Sequence, residues 1–281
     1  MRIVRYKSDL AAEIQKIKSE GKTVGFVPTM GALHNGHLAL VTRAVNENDI
    51  CIVSIFVNPT QFNNATDLKK YPRNLEKDAL LLENVGCNLI FAPEPDEMYD
   101  SDEMNGRFQF DFGGLDEVME GKFRPGHFNG VVQVVSKLFT FVQPTKAYFG
   151  EKDFQQLAII HRMVEVLNYD VTVVDCPIIR EESGLAMSSR NERLTPEQRK
   201  NAIEISKVLS ESRNFAKNSA PAEVISWVVN QINAVSELEV EYYEIVNATT
   251  LQPLCSWSES AVGCIAVYCG EVRLIDNIRY N

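Results

Sequence analysis

The sequence predicts an α/β protein: a doubly wound parallel sheet in its first part, followed by a smaller α+β domain. Between residues 23 and 174, apolar runs of strand length alternate with stretches of helical periodicity. That order belongs to a parallel sheet with helices on both faces. Beyond residue 180 the alternation stops. Two helical stretches come first and three strand-like runs follow.

The elements follow in order. Residues 23–27 read as a strand, and a periodic run from Leu38 opens a helix. The near-continuous apolar run 50–57 is a strand buried on both faces. Residues 75–84 form a helix with Leu75, Ala79 and Leu82 on one side, and 88–91 form a short buried strand. A long apolar helix covers 130–142, and a strand covers 146–149. The helix 154–167 carries the stripe Leu157, Ile160, Val164 and Leu167, and the strand 171–174 closes this part. Thr195-Pro196-Glu197 is an N-cap followed by proline at the first helical position, opening a helix that runs to about Asn214. A second helix follows Ser219-Ala220-Pro221 and ends near Ala234. Strands are expected at 239–246, 261–268 and 271–275, with Cys269-Gly270 as the turn between the last two. The expected domains are therefore 1–179 and 180–281. Residues 100–127 show poor periodicity, and a loop of that length is read as functional or mobile.

Composition bounds the function. The 281 residues, 45% hydrophobic and 23% charged, suit a water-soluble fold. No stretch approaches the roughly 20 apolar residues of a membrane span. Met1-Arg2-Ile3-Val4-Arg5-Tyr6-Lys7 lacks the apolar region of a signal peptide, so a cytoplasmic location is expected. A net charge of −10 opposes a general nucleic-acid surface, and an anionic substrate would need a locally positive pocket. Cysteines 51, 87, 176, 255, 264 and 269 form no CxxC pair and are expected to be buried, reduced thiols.

Two of the four histidines stand close together in Pro28-Thr29-Met30-Gly31-Ala32-Leu33-His34-Asn35-Gly36-His37. This is a strand, a glycine-containing turn and a helix start. Helix starts carry unpaired backbone N–H groups and partial positive charge, which suits phosphate. Metal ligation needs about three protein ligands, and neither HExxH nor CxxC accompanies the pair. Phosphate contact is therefore the favoured reading, with metal ligation and a purely structural role as the alternatives. A helix end supplies only about 0.3–1 kcal/mol per charge, too little for a triphosphate, and a reaction at an α-phosphorus would need further cations.

Lys152 in Gly150-Glu151-Lys152-Asp153 follows a strand and opens a helix. Met187-Ser188-Ser189-Arg190-Asn191 offers two hydroxyls and a guanidinium. Asn58 and Gln61 follow the 50–57 strand, and Gln156 lies one turn into the helix after Lys152. Their amides suit a small polar substrate. Arg124 in Arg124-Pro125-Gly126-His127-Phe128 is either a lid cation or part of an ordinary turn, and Asp78 is either a metal contact or, as the favoured reading, part of a solvated helix face.

These blocks, together with Tyr71-Pro72-Arg73, resemble the pantoate–β-alanine ligase family across essentially the whole chain; the first block alone resembles the wider HxGH nucleotidylyltransferase-like group. The resemblance implies a Rossmann-like ATP- and pantoate-binding domain, with the smaller domain closing over the site. It implies that ATP and pantoate form a pantoyl-adenylate and pyrophosphate, and that β-alanine then gives pantothenate and AMP. Met30, Gly31, Ala32, Leu33, His34, Asn35, Gly36, His37, Gly150, Glu151, Lys152, Asp153, Ile179, Met187, Ser188, Ser189 and Arg190 would line the ATP site, with the Ile179 backbone meeting adenine. His37 matches a proton-donor position. His34, Lys152, Ser188, Ser189 and Arg190 would stabilise the transferring phosphoryl group. Gln61 and Gln156 would hold pantoate, Gln61 also being near β-alanine, and Asn58 would contribute to the pantoate pocket. Mg2+ would bridge the ATP phosphates, with Asp78 as its protein contact. A homodimer is also implied.

Three other functions compete. A nucleotidylyltransferase would leave AMP on its substrate, and the amides Gln61 and Gln156 oppose it. A non-catalytic adenine-nucleotide sensor has no need of paired histidines with Lys152. An aminoacyl-tRNA synthetase is opposed by the acidic balance.

Overall fold

A computed structural model describes residues 1–62, 65–100, 103, 108–257 and 260–280. Contacts divide the chain into two units. The first comprises Met1–Asp116, Gly121–Glu151 and Gln156–Cys176; the second comprises Glu117–Glu120, Lys152–Gln155 and Pro177–Asn281.

The first unit is built on a six-stranded sheet in which every pairing is parallel. Its strands are β1 (Arg2–Val4), β2 (Val24–Thr29), β3 (Ile50–Ile55), β4 (Leu89–Phe91), β5 (Lys146–Gly150) and β6 (Thr172–Cys176), in the spatial order β1-β4-β3-β2-β5-β6. From β2 the chain steps through β3 and β4 to one side, then crosses to β5 on the other. The strand order therefore switches between β2 and β5, where open α/β sheets leave a crevice beyond the carboxyl ends. The helices are α1 (Lys7–Ser19), α2 (Asn35–Glu47), α3 (Leu75–Asn84), α4 (His127–Val142) and α5 (Phe154–Val166), with short helical turns at Ala65–Lys70, Pro95–Met98 and Met119–Phe123. One core cluster joins α1, α4 and α5 to the sheet through Leu10, Ile14, Val131, Val135, Leu157 and Ile160. Another holds α2 and α3 through Val41, Ala44 and Leu82.

The second unit contains α6 (Pro196–Ala216), α7 (Pro221–Asn233) and an antiparallel sheet of β7 (Leu238–Asn247), β8 (Ala261–Cys269) and β9 (Val272–Arg279). The predicted cap of α6 is present. Thr195 Oγ1 accepts from Gln198 N at 3.2 Å, and Gln198 Oε1 accepts from Thr195 N at 3.1 Å.

The fold class is as the sequence predicts, but several elements differ. Nothing is expected before residue 23, yet β1 and α1 are there. β1 has three residues and buries only Val4, whereas α1 buries Leu10, Ile14 and Ile17 at helical spacing. α4 begins at His127 rather than 130, immediately after Gly126 at φ 80°. β9 runs past 275 because Asp276 and Asn277, both polar, are buried with partners. Part of the expected 100–127 loop (101, 102 and 104–107) lies outside the described residues.

The six cysteines are free thiols; five are buried, as expected, and Cys255 is exposed. At the end of α2, Glu47 accepts from Arg43 Nε (2.8 Å), Lys146 Nζ (3.2 Å) and the Tyr148 hydroxyl (3.1 Å). The Arg43 bond, followed by those from Lys146 and Tyr148, holds the Glu47 carboxyl down to about 2. Among the described residues no helix is long and apolar enough to cross a membrane.

Candidate active site

The carboxyl ends of β2 and β5 flank the switch point. β2 leads directly into residues 30–37, and β5 ends on Gly150 and leads into Glu151. The 30–37 loop is held in an unusual backbone conformation. Gly31 and Ala32 take successive left-handed conformations, with φ of 82° and 51°. Such a pair turns consecutive N–H groups toward one point and makes an anion seat. The seat is filled by the chain itself: Asp78 Oδ2 accepts from Ala32 N at 2.9 Å, and Asp78 Oδ1 accepts from Leu33 N at 2.8 Å. A Cβ at position 31 would stand 2.9 Å from Asp78 Oδ2, so the position needs glycine for space as well as for φ. The Thr29 hydroxyl donates to the Ser54 carbonyl and accepts from Gly31 N.

This geometry gives Asp78 a structural part that the sequence reading does not show. The side chain is 2% exposed, and both its oxygens are engaged by backbone N–H groups of the loop. Among the described residues, no group of three His, Cys, Asp or Glu side chains could hold a metal. In this structure Asp78 is a buried clamp on the motif loop.

His34 is the N-cap of α2, and its Nδ1 accepts from Gly36 N at 3.1 Å. His37 Nδ1 accepts from His34 N at 3.4 Å. The two rings lie 4.1 Å apart between centroids, tilted by 38°. With Nδ1 accepting in both, each neutral ring carries its hydrogen on Nε2. The local backbone thus sets both imidazoles as Nε2–H donors at the start of a helix.

After β3, Asn58 organises a short turn at Pro59–Gln61. Its Oδ1 accepts from Thr60 N (3.3 Å), Thr60 Oγ1 (3.1 Å) and the Tyr99 hydroxyl (2.8 Å). Its Nδ2 donates to Gln61 Oε1 (3.2 Å) and the Gly130 carbonyl (3.1 Å). Asn58 is 1% exposed, with both amide atoms used internally. It therefore positions Gln61. Gln61 is half-buried, and its Nε2 donates to Met30 Sδ at 3.1 Å, joining this turn to the motif loop. Gln156 lies in the first turn of α5, also half-buried. Arg124 Nη2 lies 3.0 Å from His127 Nδ1.

The remaining candidates lie in the second unit. Lys152 sits in a 3-10 turn at Glu151–Asp153, with its side chain 18% exposed and its Nζ 3.7 Å from Asp153 Oδ2. Asn277 Nδ2 donates to the Lys152 carbonyl at 3.1 Å, so β9 holds the lysine backbone. Ser188 caps the turn Ser189–Arg193 by accepting from Arg190 N at 3.3 Å, and Ser188, Ser189 and Arg190 are all half-buried. The Ile179 carbonyl accepts from Met187 N.

Sequence reading missed the support for this segment. Arg180 makes a bidentate pair with Asp276, at 2.7 and 2.9 Å, and donates to the Gly184 carbonyl. Asn191, 3% exposed, donates to Glu181 Oε1 and the Ala186 carbonyl. Polar side chains buried on a β-strand, Asp276 and Asn277, are the signal that such partners exist.

The expected lid is not loose throughout. Glu120 is 7% exposed; both its oxygens accept from Arg273, and the Tyr242 hydroxyl donates to one of them. Burial works against the Arg273 charge, but Glu120 and Glu241 outweigh it and hold the guanidinium above its usual range. Gln155 Nε2 donates to the Val118 carbonyl at 2.8 Å.

Residues 2–279 match the family model described as pantoate-beta-alanine ligase. The chain is 55% identical over 282 residues to pantothenate synthetase of Bacteroides fragilis (strain YCH46), spanning 100% of this chain and 99% of that protein. It is also 55% identical, with the same coverage, to pantothenate synthetase of Phocaeicola vulgatus. The crystal structure of pantothenate synthetase from Thermus thermophilus superposes with a TM-score of 0.93 at 46% identity, covering 100% of this chain and 99% of that one. That of pantoate-beta-alanine ligase from Francisella tularensis, complexed with beta-gamma ATP and beta-alanine, gives 0.84 at 34% identity, covering 100% and 98%.

Proposed function

The chain belongs to the pantoate-beta-alanine ligase family and is a ligase that forms pantothenate; from that premise we propose that it works by adenylation, in two steps. A pantoate carboxylate oxygen attacks the α-phosphorus of ATP, the bond to the β-phosphate breaks, and pyrophosphate leaves. The β-alanine amine then attacks the acyl carbon, the C–N bond forms, and the C–O bond to AMP breaks. The amine's proton leaves in that step. Adenylation turns a poor leaving oxygen into a good one, so no enzyme nucleophile is needed.

One observation carries this reading: the loop after β2, at the switch point of the sheet, presents two backbone-set imidazoles at the start of α2. In this reading His34 and His37 donate Nε2–H bonds to the triphosphate, with His37 able to pass a proton to the departing phosphate. Residues 30–37, Gly150, Glu151, Lys152, Asp153, Met187, Ser188, Ser189 and Arg190 bind ATP, with Ile179 at the adenine. The cations Lys152 and Arg190 and the two serine hydroxyls stabilise charge growing on the transferring phosphoryl group. Gln61 and Gln156 orient pantoate, and Arg124 belongs to the loop that closes on it. Residues 1–179 then act as the ATP- and pantoate-binding domain, and 180–281 form the smaller domain. Magnesium enters as part of the substrate, as MgATP.

Pyrophosphate release, measured with pantoate and with or without β-alanine, tests the proposal. Pantoate alone should release one pyrophosphate per active site, and β-alanine should convert this to steady turnover with AMP. A stable adenylylated product that accumulates with or without β-alanine would show a nucleotidylyltransferase instead. The reading also includes a homodimer in the cytoplasm; light scattering at the mass of a single chain would remove the dimer.

A further inference from the structure

The first turn of α4 closes against the turn that carries Gln61. Gly130 is packed so tightly there that a Cβ on it would stand 2.5 Å from the Thr60 carbonyl oxygen. Asn58 bridges the two segments by donating to the Gly130 carbonyl. Three residues earlier, His127 is 6% exposed, and its Nδ1 lies 2.8 Å from the Gln61 carbonyl oxygen. A carbonyl oxygen only accepts, so a bond at that distance needs a hydrogen on Nδ1. Arg124 Nη2, 3.0 Å from the same nitrogen, only donates. The two contacts are therefore alternatives at one atom, and the carbonyl is the nearer.

We propose that His127 is a positioning residue for the ligase reaction: its Nδ1–H donates to the Gln61 carbonyl and so fixes the direction of the Gln61 amide toward pantoate. The proposal rests on the reading of Gln61 as a pantoate ligand. Gln61 is otherwise tied through its side chain to Asn58 and Met30. Those bonds must loosen when the amide turns to a substrate, whereas the backbone bond from His127 persists. A small group of supporting contacts on rigid elements is what keeps a binding group in productive geometry. A ring that merely filled space beside Phe128, 5.0 Å away between centroids, would need volume but no donor at Nδ1.

Asparagine and glutamine separate the two roles. The amide nitrogen of Asn reaches the place of Nδ1; that of Gln reaches the place of Nε2. Steady-state kinetics on the purified full chain should show His127→Gln raising KM for pantoate about tenfold, the cost of one lost bond to a buried carbonyl. KM for ATP should stay near the wild-type value, and His127→Asn should restore most of the pantoate KM. Equal defects in the Asn and Gln variants, or KM values for ATP and pantoate rising together, would overturn the clamp. Gln61→Ala serves as the reference. If it leaves pantoate KM unchanged, the reading of Gln61 fails; if it raises pantoate KM while His127→Gln does not, the clamp alone fails.

Discussion

Replacing Asp78 by asparagine separates a structural clamp from a metal ligand. In the native chain two charge-assisted bonds run from one buried carboxylate to the N–H groups of Ala32 and Leu33. Asparagine keeps one acceptor oxygen and turns an NH2 group toward the other N–H. One bond to a charged acceptor is lost, at about 1.5–3 kcal/mol, and one buried donor is left unsatisfied, at about 1–3 kcal/mol. The expected destabilisation is therefore roughly 2.5–6 kcal/mol, a large share of the stability of an ordinary domain. Alanine would remove both acceptors, so asparagine is the usable probe.

The same change frees the Gly31-Ala32 backbone to leave its left-handed conformation, and the imidazoles that follow it lose their placement. Misplacement of about 1 Å costs on the order of 100-fold in rate. Urea unfolding should report the stability loss, and pantoate-dependent ATP–pyrophosphate exchange the rate loss. The Mg2+ concentration for half-maximal exchange should not move. Native stability combined with a raised Mg2+ requirement would refute the clamp and return Asp78 to the metal.

Lys152→Ala should lower pantoyl-adenylate formation by at least 100-fold, about 3 kcal/mol of transition-state stabilisation; near-normal pyrophosphate release would remove Lys152 from that role. Gln156→Ala should weaken pantoate use more than ATP binding, read as separate KM values, and equal weakening would contradict a pantoate contact. Glu47, whose carboxyl is held down to about 2 against an ordinary 4.5, contributes stability that is complete above 4.5 and lost as pH falls toward 2. Glu47→Gln should therefore flatten that part of an acid-unfolding profile, and an unaltered profile would show that its bonds to Arg43, Lys146 and Tyr148 do not matter to folding.

The middle of the sheet was legible because β2, β3, β4 and β5 are largely buried on both faces: the run behind β3, for instance, contains hardly a polar residue to hide it. β1 was not, since a three-residue edge strand burying one side chain leaves no period to read. The motif loop and its histidines were legible because the groups are adjacent in sequence. Asp78 was not read as a clamp although the signal was available. It lies three residues after Leu75 and four before Leu82, on the buried face of α3, where a carboxylate must have internal donors. The Asn58 hub and the Arg180–Asp276 pair depend on partners 41 to 96 residues away, and local pattern does not reach that far.

The distribution of thiols has a practical consequence. Cys255 is open to solvent, while the other five are enclosed, and burial raises Cys176, Cys264 and Cys269 above the usual thiol range. The thiolate is the nucleophile that attacks an alkylating reagent, so a folded molecule is doubly shielded at those three positions. Mass spectrometry after brief alkylation thus becomes a fold gauge: one adduct marks an intact chain, and each further adduct marks a chain that had opened.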